Sequence, residues 1–232
     1  MPTLGILTPS EKAVARAAEA EGATINPHDL SSVVRVVLAV KPAKWREASQ
    51  DFLDRLPKAT VIISVMAGVS TQTLAETFGP RPVARVMPTT AVSAGAGVAA
   101  YLATDDASRT AVRVLFAPIA TLVDLADDDR IDIATALSGS GAAYAYAFVR
   151  DLARAGERRG LTAGQAMTLA RLTIAGALAR LEAGGDADAL IAEVASPGGT
   201  TEAGLSVLEP ALDDLLDGTV GAALKRAGQL SS

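Results

Sequence analysis

Val36-Val37-Leu38-Ala39-Val40-Lys41-Pro42 is a continuous apolar run, rich in β-branched residues and without a polar face, closed by a lysine and a proline. Such a run reads as a strand covered on both sides, as in a parallel sheet, and proline ends it because it has no N–H for the ladder. The same unit repeats outward. Residues 45–56 read as a helix, 60–65 as a buried strand ending at Met66-Ala67-Gly68, 71–78 as a helix, and 83–87 as a third strand ending at Pro88. A fourth extended segment at 96–102 and a helix at 107–117, leading into 120–125, continue the series. Toward the N-terminus, residues 3–7 form a short apolar strand. Thr8-Pro9-Ser10-Glu11 has the form of a capping box with proline at the first helical position, which predicts a helix to about residue 21. Gly22 ends it, 23–25 is extended, and 29–34 reads as a further short helix. Strands alternating with helices predict an α/β domain over residues 1–126, a doubly wound parallel sheet. In such sheets ligands bind beyond the carboxyl ends of the strands, here Lys41-Pro42, Ala67-Gly68 and Met87-Pro88-Thr89-Thr90.

After Asp127-Asp128-Asp129 the strand signals stop. Residues 131–137 read as helical, Ser138-Gly139-Ser140-Gly141 breaks or kinks the chain, and 142–159 continues with small residues on most faces. Gly160 ends that helix, and Thr162-Ala163-Gly164-Gln165 is a second capping box, opening a helix to about 183. Asp186 caps a short helix to 195. Beyond Ser196-Pro197-Gly198-Gly199 a helix runs to 208, and a last one starts at 212 or 219 and reaches 230. Residues 127–232 are thus expected as an all-α domain. Its long apolar helices have more faces to bury than one such domain covers alone, which predicts a homodimer through it.

Composition narrows the chemistry. Half of the 232 residues are apolar but only 3% are aromatic, so the core is built from Ala, Leu and Val. With 21 basic and 26 acidic residues the net charge is −5, and no basic run marks a nucleic-acid surface. The most apolar stretches, such as 142–149, are closed by Arg150 and Asp151 long before they could span a bilayer. No basic segment followed by an apolar run opens the sequence, so the expected location is cytoplasmic, with no membrane or nucleic-acid partner. There is no cysteine and a single histidine, His28, set in the turn-like Asn26-Pro27-His28-Asp29. Thiol chemistry and cysteine-based metal sites are excluded, and no metal is expected. What chemistry there is falls to backbone amides, hydroxyls, carboxylates or a bound cofactor.

One junction stands out in that light. In Ser196-Pro197-Gly198-Gly199-Thr200-Thr201, proline and paired glycines end one helix while a threonine can cap the next, so several N–H groups converge on one point. A small carboxylate fits there without any lysine or arginine, with threonine hydroxyls as neutral proton donors alongside. A plain interhelical turn fits the same letters at least as well.

Five blocks resemble the pyrroline-5-carboxylate reductase family over nearly the whole chain. Leu38-Ala39-Val40-Lys41-Pro42 looks like its "LAVKP", Ile63-Ser64-Val65-Met66-Ala67-Gly68-Val69 is similar to "ISxxAGV", and Arg85-Val86-Met87-Pro88-Thr89-Thr90 resembles "RxMPNTP". The stretch from Ala136 to Tyr144 resembles "ALSGSGPAY", and Ser196 to Thr201 matches "SPGGTT" letter for letter. The resemblance implies a truncated Rossmann-like NAD(P)-binding domain, its first strand–helix unit missing or replaced, followed by a helical dimerisation and substrate domain. The implied reaction is hydride transfer from NADPH or NADH to a cyclic imine carboxylate in proline biosynthesis, by a homodimer or a higher oligomer. It further implies that Ser196, Gly198, Gly199, Thr200 and Thr201 bind the substrate carboxylate, with Thr201 as catalytic proton donor. Val40, Lys41, Pro42, Ala67, Gly68, Met87, Pro88 and Thr89 would line the cofactor.

The sequence also departs from the family. The family's first strand is followed by a G-x-G-x-x-G turn, and these 232 residues contain none; Thr8 to Lys12 match the segment after its second strand. Ala43, Thr89, Ala91, Ala142, Arg150 and Leu172 stand where Gln, Asn, Pro, Pro, Glu and Gln are usual. A second expectation follows, from a different class: a non-catalytic, family-derived dimeric binding or regulatory protein with impaired dinucleotide binding.

Overall fold

The computed structural model describes residues 3–7, 24–25, 29–50 and 52–230. Among them seven strands form one sheet: β1 (Thr3–Leu7), β2 (Thr24–Ile25), β3 (Val33–Leu38), β4 (Val61–Ser64), β5 (Val83–Pro88), β6 (Gly97–Ala103) and β7 (Ala120–Asp124), in the spatial order β2-β1-β3-β4-β5-β6-β7. Every pairing is parallel except that of β5 with β6. The expected strand at 96–102 is therefore present but runs against its neighbour. The connection explains this: after β5 the chain makes only a 3₁₀ turn, Thr90–Ala94, and turns back at Gly95 in the left-handed region (φ 71°), whereas a parallel return needs a crossover of a dozen residues or more. Gly97 completes the turn, since a Cβ there would lie 2.4 Å from Val92 Cγ1.

Alternation along the strands sends successive side chains to opposite faces. Val37, Ile63, Ala84 and Val86 pack with Ala111, Val112, Leu115 and Phe116 of α3 (Asp106–Phe116) on one side. Val36, Leu38, Ile62 and Val83 pack with Trp45 of α1 (Trp45–Gln50) and with Leu74 and Phe78 of α2 (Thr71–Phe78) on the other. The sheet is covered on both faces, as a Rossmann-like fold requires. Because β1 pairs with both β2 and β3, the chain order reverses between β1 and β3, where Leu7 faces Leu38 in register. That is the switch point beside which α/β sheets bind ligands.

Helix 71–78 stands where the sequence puts it, capped by the Ser70 hydroxyl on Thr73 N–H. The expected helix at 45–56 is instead split among a 3₁₀ turn at Pro42–Lys44, α1, and a 3₁₀ turn at Leu53–Arg55. Arg81 explains its end: the guanidinium takes the carbonyls of Leu56, Pro57 and Phe78, fixing the chain as it leaves. The expected helix at 29–34 is absent. Asp29 accepts from Ser31 N–H in a turn, and Val33, fully buried, opens β3. The expected capping box at Thr8 to Glu11, its helix, and His28 lie outside the described residues.

Beyond the sheet, α4 (Asp128–Ala134) is capped by Asp127 and passes through a π turn, Thr135–Gly139, into α5 (Gly141–Glu157). The Ser-Gly-Ser-Gly stretch thus widens the helical path rather than ending it: Ser140 N–H reaches back to the Thr135 carbonyl, five residues away. α6 (Ala163–Glu182) opens on the Thr162–Gln165 capping box, and α7 (Ala187–Val194) on Asp186, both as the sequence predicts. Thr200–Leu230 is one helix, α8, rather than two. Pro210 removes one ladder bond, but the Leu- and Ala-rich turns on either side keep the helix going.

Two compact units result, Met1–Ala142 with Val220–Ser232, and Ala143–Thr219. The sequence expectation divides the chain at 126/127, where the strand pattern stops. In the structure α4 belongs with the sheet, because Asp128 is tied to Arg85 and Thr71 and Ile131 is buried. The Ala143–Thr219 unit encloses little of its own: Ala153, Ala166 and Ala170 form its buried cluster. Among the described residues no helix is long and apolar enough to cross a membrane, and no group of His, Cys, Asp and Glu is suited to hold a metal.

Candidate functional site

Three parallel strands end side by side on one edge of the sheet. Leu38 stands opposite Ser64, and Ser64 opposite Arg85, so the segments that follow them are neighbours. Val40, Lys41 and Pro42 leave β3; Ala67 and Gly68 follow β4; Met87 and Pro88 close β5, with Thr89 next. The structure thus brings together the eight residues expected to line a cofactor. Lys41 is exposed and Pro42 half-buried, while Gly68, Met87 and Thr89 are buried. Gly68 has φ 74°, a conformation that keeps side chains away and lets a ligand approach the backbone. Thr89 is fixed to β6 in both directions, its N–H donating to the Val98 carbonyl and its hydroxyl accepting from Val98 N–H. Gly139 of the π turn also reaches this edge, where a Cβ would stand 3.4 Å from Met87. An exposed lysine beside half-buried turns and small residues fits the ribose and nicotinamide side of a dinucleotide.

Behind that edge lies a charged cluster that the sequence reading did not assign. Arg85 is only 1% exposed. Its Nη1 donates to Asp128 (2.6 Å) and its Nη2 to Asp132 (2.7 Å), one turn further along α4. The Asp128 carboxylate also accepts Thr71 N–H on both oxygens (3.1 Å each) and the Thr71 hydroxyl at 2.6 Å. Burial pushes the Asp128 pKa up, but the bonds from Arg85 and Thr71 outweigh it and hold the carboxyl below the usual carboxylate range. The signal was in the sequence: a lone arginine inside the apolar strand Val83–Pro88.

The second group of candidates lies in the Ala143–Thr219 unit. α7 ends at Val194, and the chain turns through Ser196-Pro197-Gly198-Gly199 into α8. Gly198 has φ 72°, and Gly199 N–H closes the turn on the Ser196 carbonyl at 2.9 Å. A Cβ on Gly199 would stand 2.6 Å from Ser196 Oγ and 2.9 Å from the Ser196 carbonyl oxygen, so the turn closes only around glycine. Gly198 N–H already holds a carboxylate, that of Glu202, at 2.7 Å. Ser196, Gly198 and Thr200 are exposed; Gly199 and Thr201 are half-buried. Thr201 lines a cavity of about 410 Å³ between α6, α7 and α8, with Ala177, Leu181, Leu190, Ile191 and Val194. Arg180, also on its wall, is paired with Glu193 at 2.7 Å.

Residues 128–230 match the family model described as pyrroline-5-carboxylate reductase dimerisation. The chain is 35% identical to a pyrroline-5-carboxylate reductase of Aquifex aeolicus over 84% of its own length and 72% of that protein. With the pyrroline-5-carboxylate reductase of Pisum sativum it shares 33% over its whole length and 88% of the relative. The chain belongs to the pyrroline-5-carboxylate reductase family. With pyrroline-5-carboxylate reductase 2 of Bacillus subtilis it is 34% identical, the match spanning 75% of this chain and 64% of the relative. Among solved structures, a pyrroline-5-carboxylate reductase from Coxiella burnetii superimposes with a TM-score of 0.87 at 26% identity, covering 99% of this chain and 98% of the other. The Plasmodium falciparum pyrroline carboxylate reductase with NADP bound has the same fold, with a TM-score of 0.87 at 23% identity and the same coverage. The family resemblance read from the five sequence blocks is thereby borne out, as is the Rossmann-like sheet followed by helices.

Proposed function

We propose that this protein reduces pyrroline-5-carboxylate, a cyclic imine carboxylate, to proline with NADPH or NADH. One observation carries the reading: Ser196 to Thr201 form a turn whose Gly198 amide is in carboxylate-binding geometry, next to a hydroxyl that lines a cavity. The edge formed by Val40, Lys41, Pro42, Ala67, Gly68, Met87, Pro88 and Thr89 takes the nicotinamide nucleotide, which supplies the hydride when bound. The amide of Gly198, from which the substrate displaces Glu202, and those of Thr200 and Thr201 hold the substrate carboxylate and fix the ring's orientation, while Gly199 N–H keeps the turn closed on the Ser196 carbonyl. Thr201 hydrogen-bonds the imine nitrogen through its hydroxyl, stabilising the electron pair that collects there as the carbon is reduced, and the proton that completes the amine is replaced on the hydroxyl from water. The described residues up to 126 act as the nucleotide domain, with α4 packed against its sheet, and the helices that follow act as the dimerisation and substrate domain. The match over 128–230 and the exposed apolar helices support a homodimer.

The test is oxidation of NADPH or NADH on adding pyrroline-5-carboxylate, followed at 340 nm in wild type and Thr201→Ala. Loss of the donor lowers kcat by about 10²-fold and leaves nucleotide affinity unchanged. Equal losses in turnover and nucleotide binding would refute the role of Thr201. No turnover with either nucleotide would leave the protein a dimeric binding module.

A further inference from the structure

A buried arginine is an expensive way to fill a strand position that Val83, on the same face, fills without charge. Arg85 Nε has no partner among the described residues, so the guanidinium is not there for the sake of full hydrogen bonding. What the cluster does achieve is positional. Asp128, oriented by Arg85, takes the backbone N–H and the hydroxyl of Thr71, the first residue of α2. The segment just before Thr71 is Ala67-Gly68-Val69-Ser70, which contains two of the residues assigned to the nucleotide. At the other end of that segment, Ser64 Oγ accepts Met66 N–H at 3.3 Å, and Ser64 is the register partner of Arg85 on the adjacent strand. The loop is thus fixed at both ends from one point on β5, two residues before Met87.

We infer that Asp128, held by Arg85, is a positioning residue for the dinucleotide edge: it ties the β4–α2 loop to β5 and α4, so that Ala67-Gly68 and Met87 to Thr89 form one rigid surface. The inference rests on the reductase reading for the identity of the ligand, but the tether itself does not. Asp132 holds the other half of the guanidinium and does not touch the loop, which makes it the internal control.

The full-length chain carrying Asp128→Asn, Thr71→Val or Asp132→Asn is compared with wild type by amide hydrogen exchange and by NADPH titration, read from nucleotide fluorescence. Asparagine can accept from Arg85 or from Thr71 but cannot serve both with charge. In Asp128→Asn, exchange rises in peptides covering residues 66–71 and stays at the wild-type level in β4 and β5. NADPH affinity falls about tenfold, the loss expected from a displacement of a fraction of an ångström, while KM for pyrroline-5-carboxylate stays within about twofold. Thr71→Val shifts both readouts in the same direction by less, and serves if Asp128→Asn folds poorly. Asp132→Asn leaves loop exchange nearly unchanged. Unchanged loop exchange in Asp128→Asn and Thr71→Val overturns the inference, as does a loosened loop with wild-type NADPH affinity. So does loosening spread evenly across the sheet, the mark of a merely structural pair. If wild type binds no NADPH while Asp128→Asn still loosens only this loop, the tether stands and the reductase reading falls.

Discussion

The sheet and the helices that follow it treat their apolar residues in opposite ways. Val36, Ile62, Ile63 and Leu74 are wholly enclosed by the chain's own strands and helices. In Ala143–Thr219 the enclosed residues are three alanines, while Tyr146, Leu215 and Val207 are 71%, 64% and 77% exposed. Full burial of such a side chain contributes about 1.5–3 kcal/mol. The sheet therefore obtains its stability within one chain, whereas the helical unit has most of its apolar surface still to cover. One unit encloses its own core and the other leaves apolar helical faces exposed, which is the division of labour expected when one part holds a nucleotide and the other a second subunit.

The contrast breaks most completely if the exposed helical surface proves inert. Val207→Glu combined with Leu215→Glu weakens self-association about 10³-fold, as for two central interface residues, measured by sedimentation equilibrium. Val123→Glu, on the sheet's edge strand, leaves association unchanged; a wild type that is monomeric at micromolar concentration would end the comparison. Next in size is the buried charge. Arg85→Ala lowers stability by about 3 kcal/mol in urea unfolding, because it strands two carboxylates against the sheet. Arg180→Ala, whose partner Glu193 is exposed, gives no resolvable change. A smaller effect concerns acid. The Asp128 carboxyl is held below its unfolded value, so its contribution is complete above about pH 4 and is lost as pH falls through the folded value. Asp128→Asn should flatten the decline in stability below pH 4 relative to wild type; an identical decline would show that Asp128 is not ionised and paired in the folded state.

The legible parts of the sequence were the local ones. Helix 71–78, the capping box at Thr162 and the N-cap at Asp186 are set by residues three or four apart, and the buried strands by runs with no polar face. The Ser196 to Thr201 turn was legible because it is contiguous. The direction of β6 depends on how few residues join it to β5, and the single helix through Pro210 on the strength of the turns around it. Of the Arg85 cluster only the lone arginine in an apolar strand was legible: the pairs that build it are 43, 47 and 57 residues apart along the chain, and only the sheet's topology brings them together. Glu202 on Gly198 was missed for a different reason, since an acidic residue in the first turn of a helix reads as ordinary dipole compensation.

The most direct test of the account is a titration of the wild-type protein with NADPH and NADH. The wild-type protein binds at least one nucleotide saturably with Kd below about 100 μM, and Asp128→Asn weakens that binding. Failure of both nucleotides to saturate at millimolar concentration would contradict it.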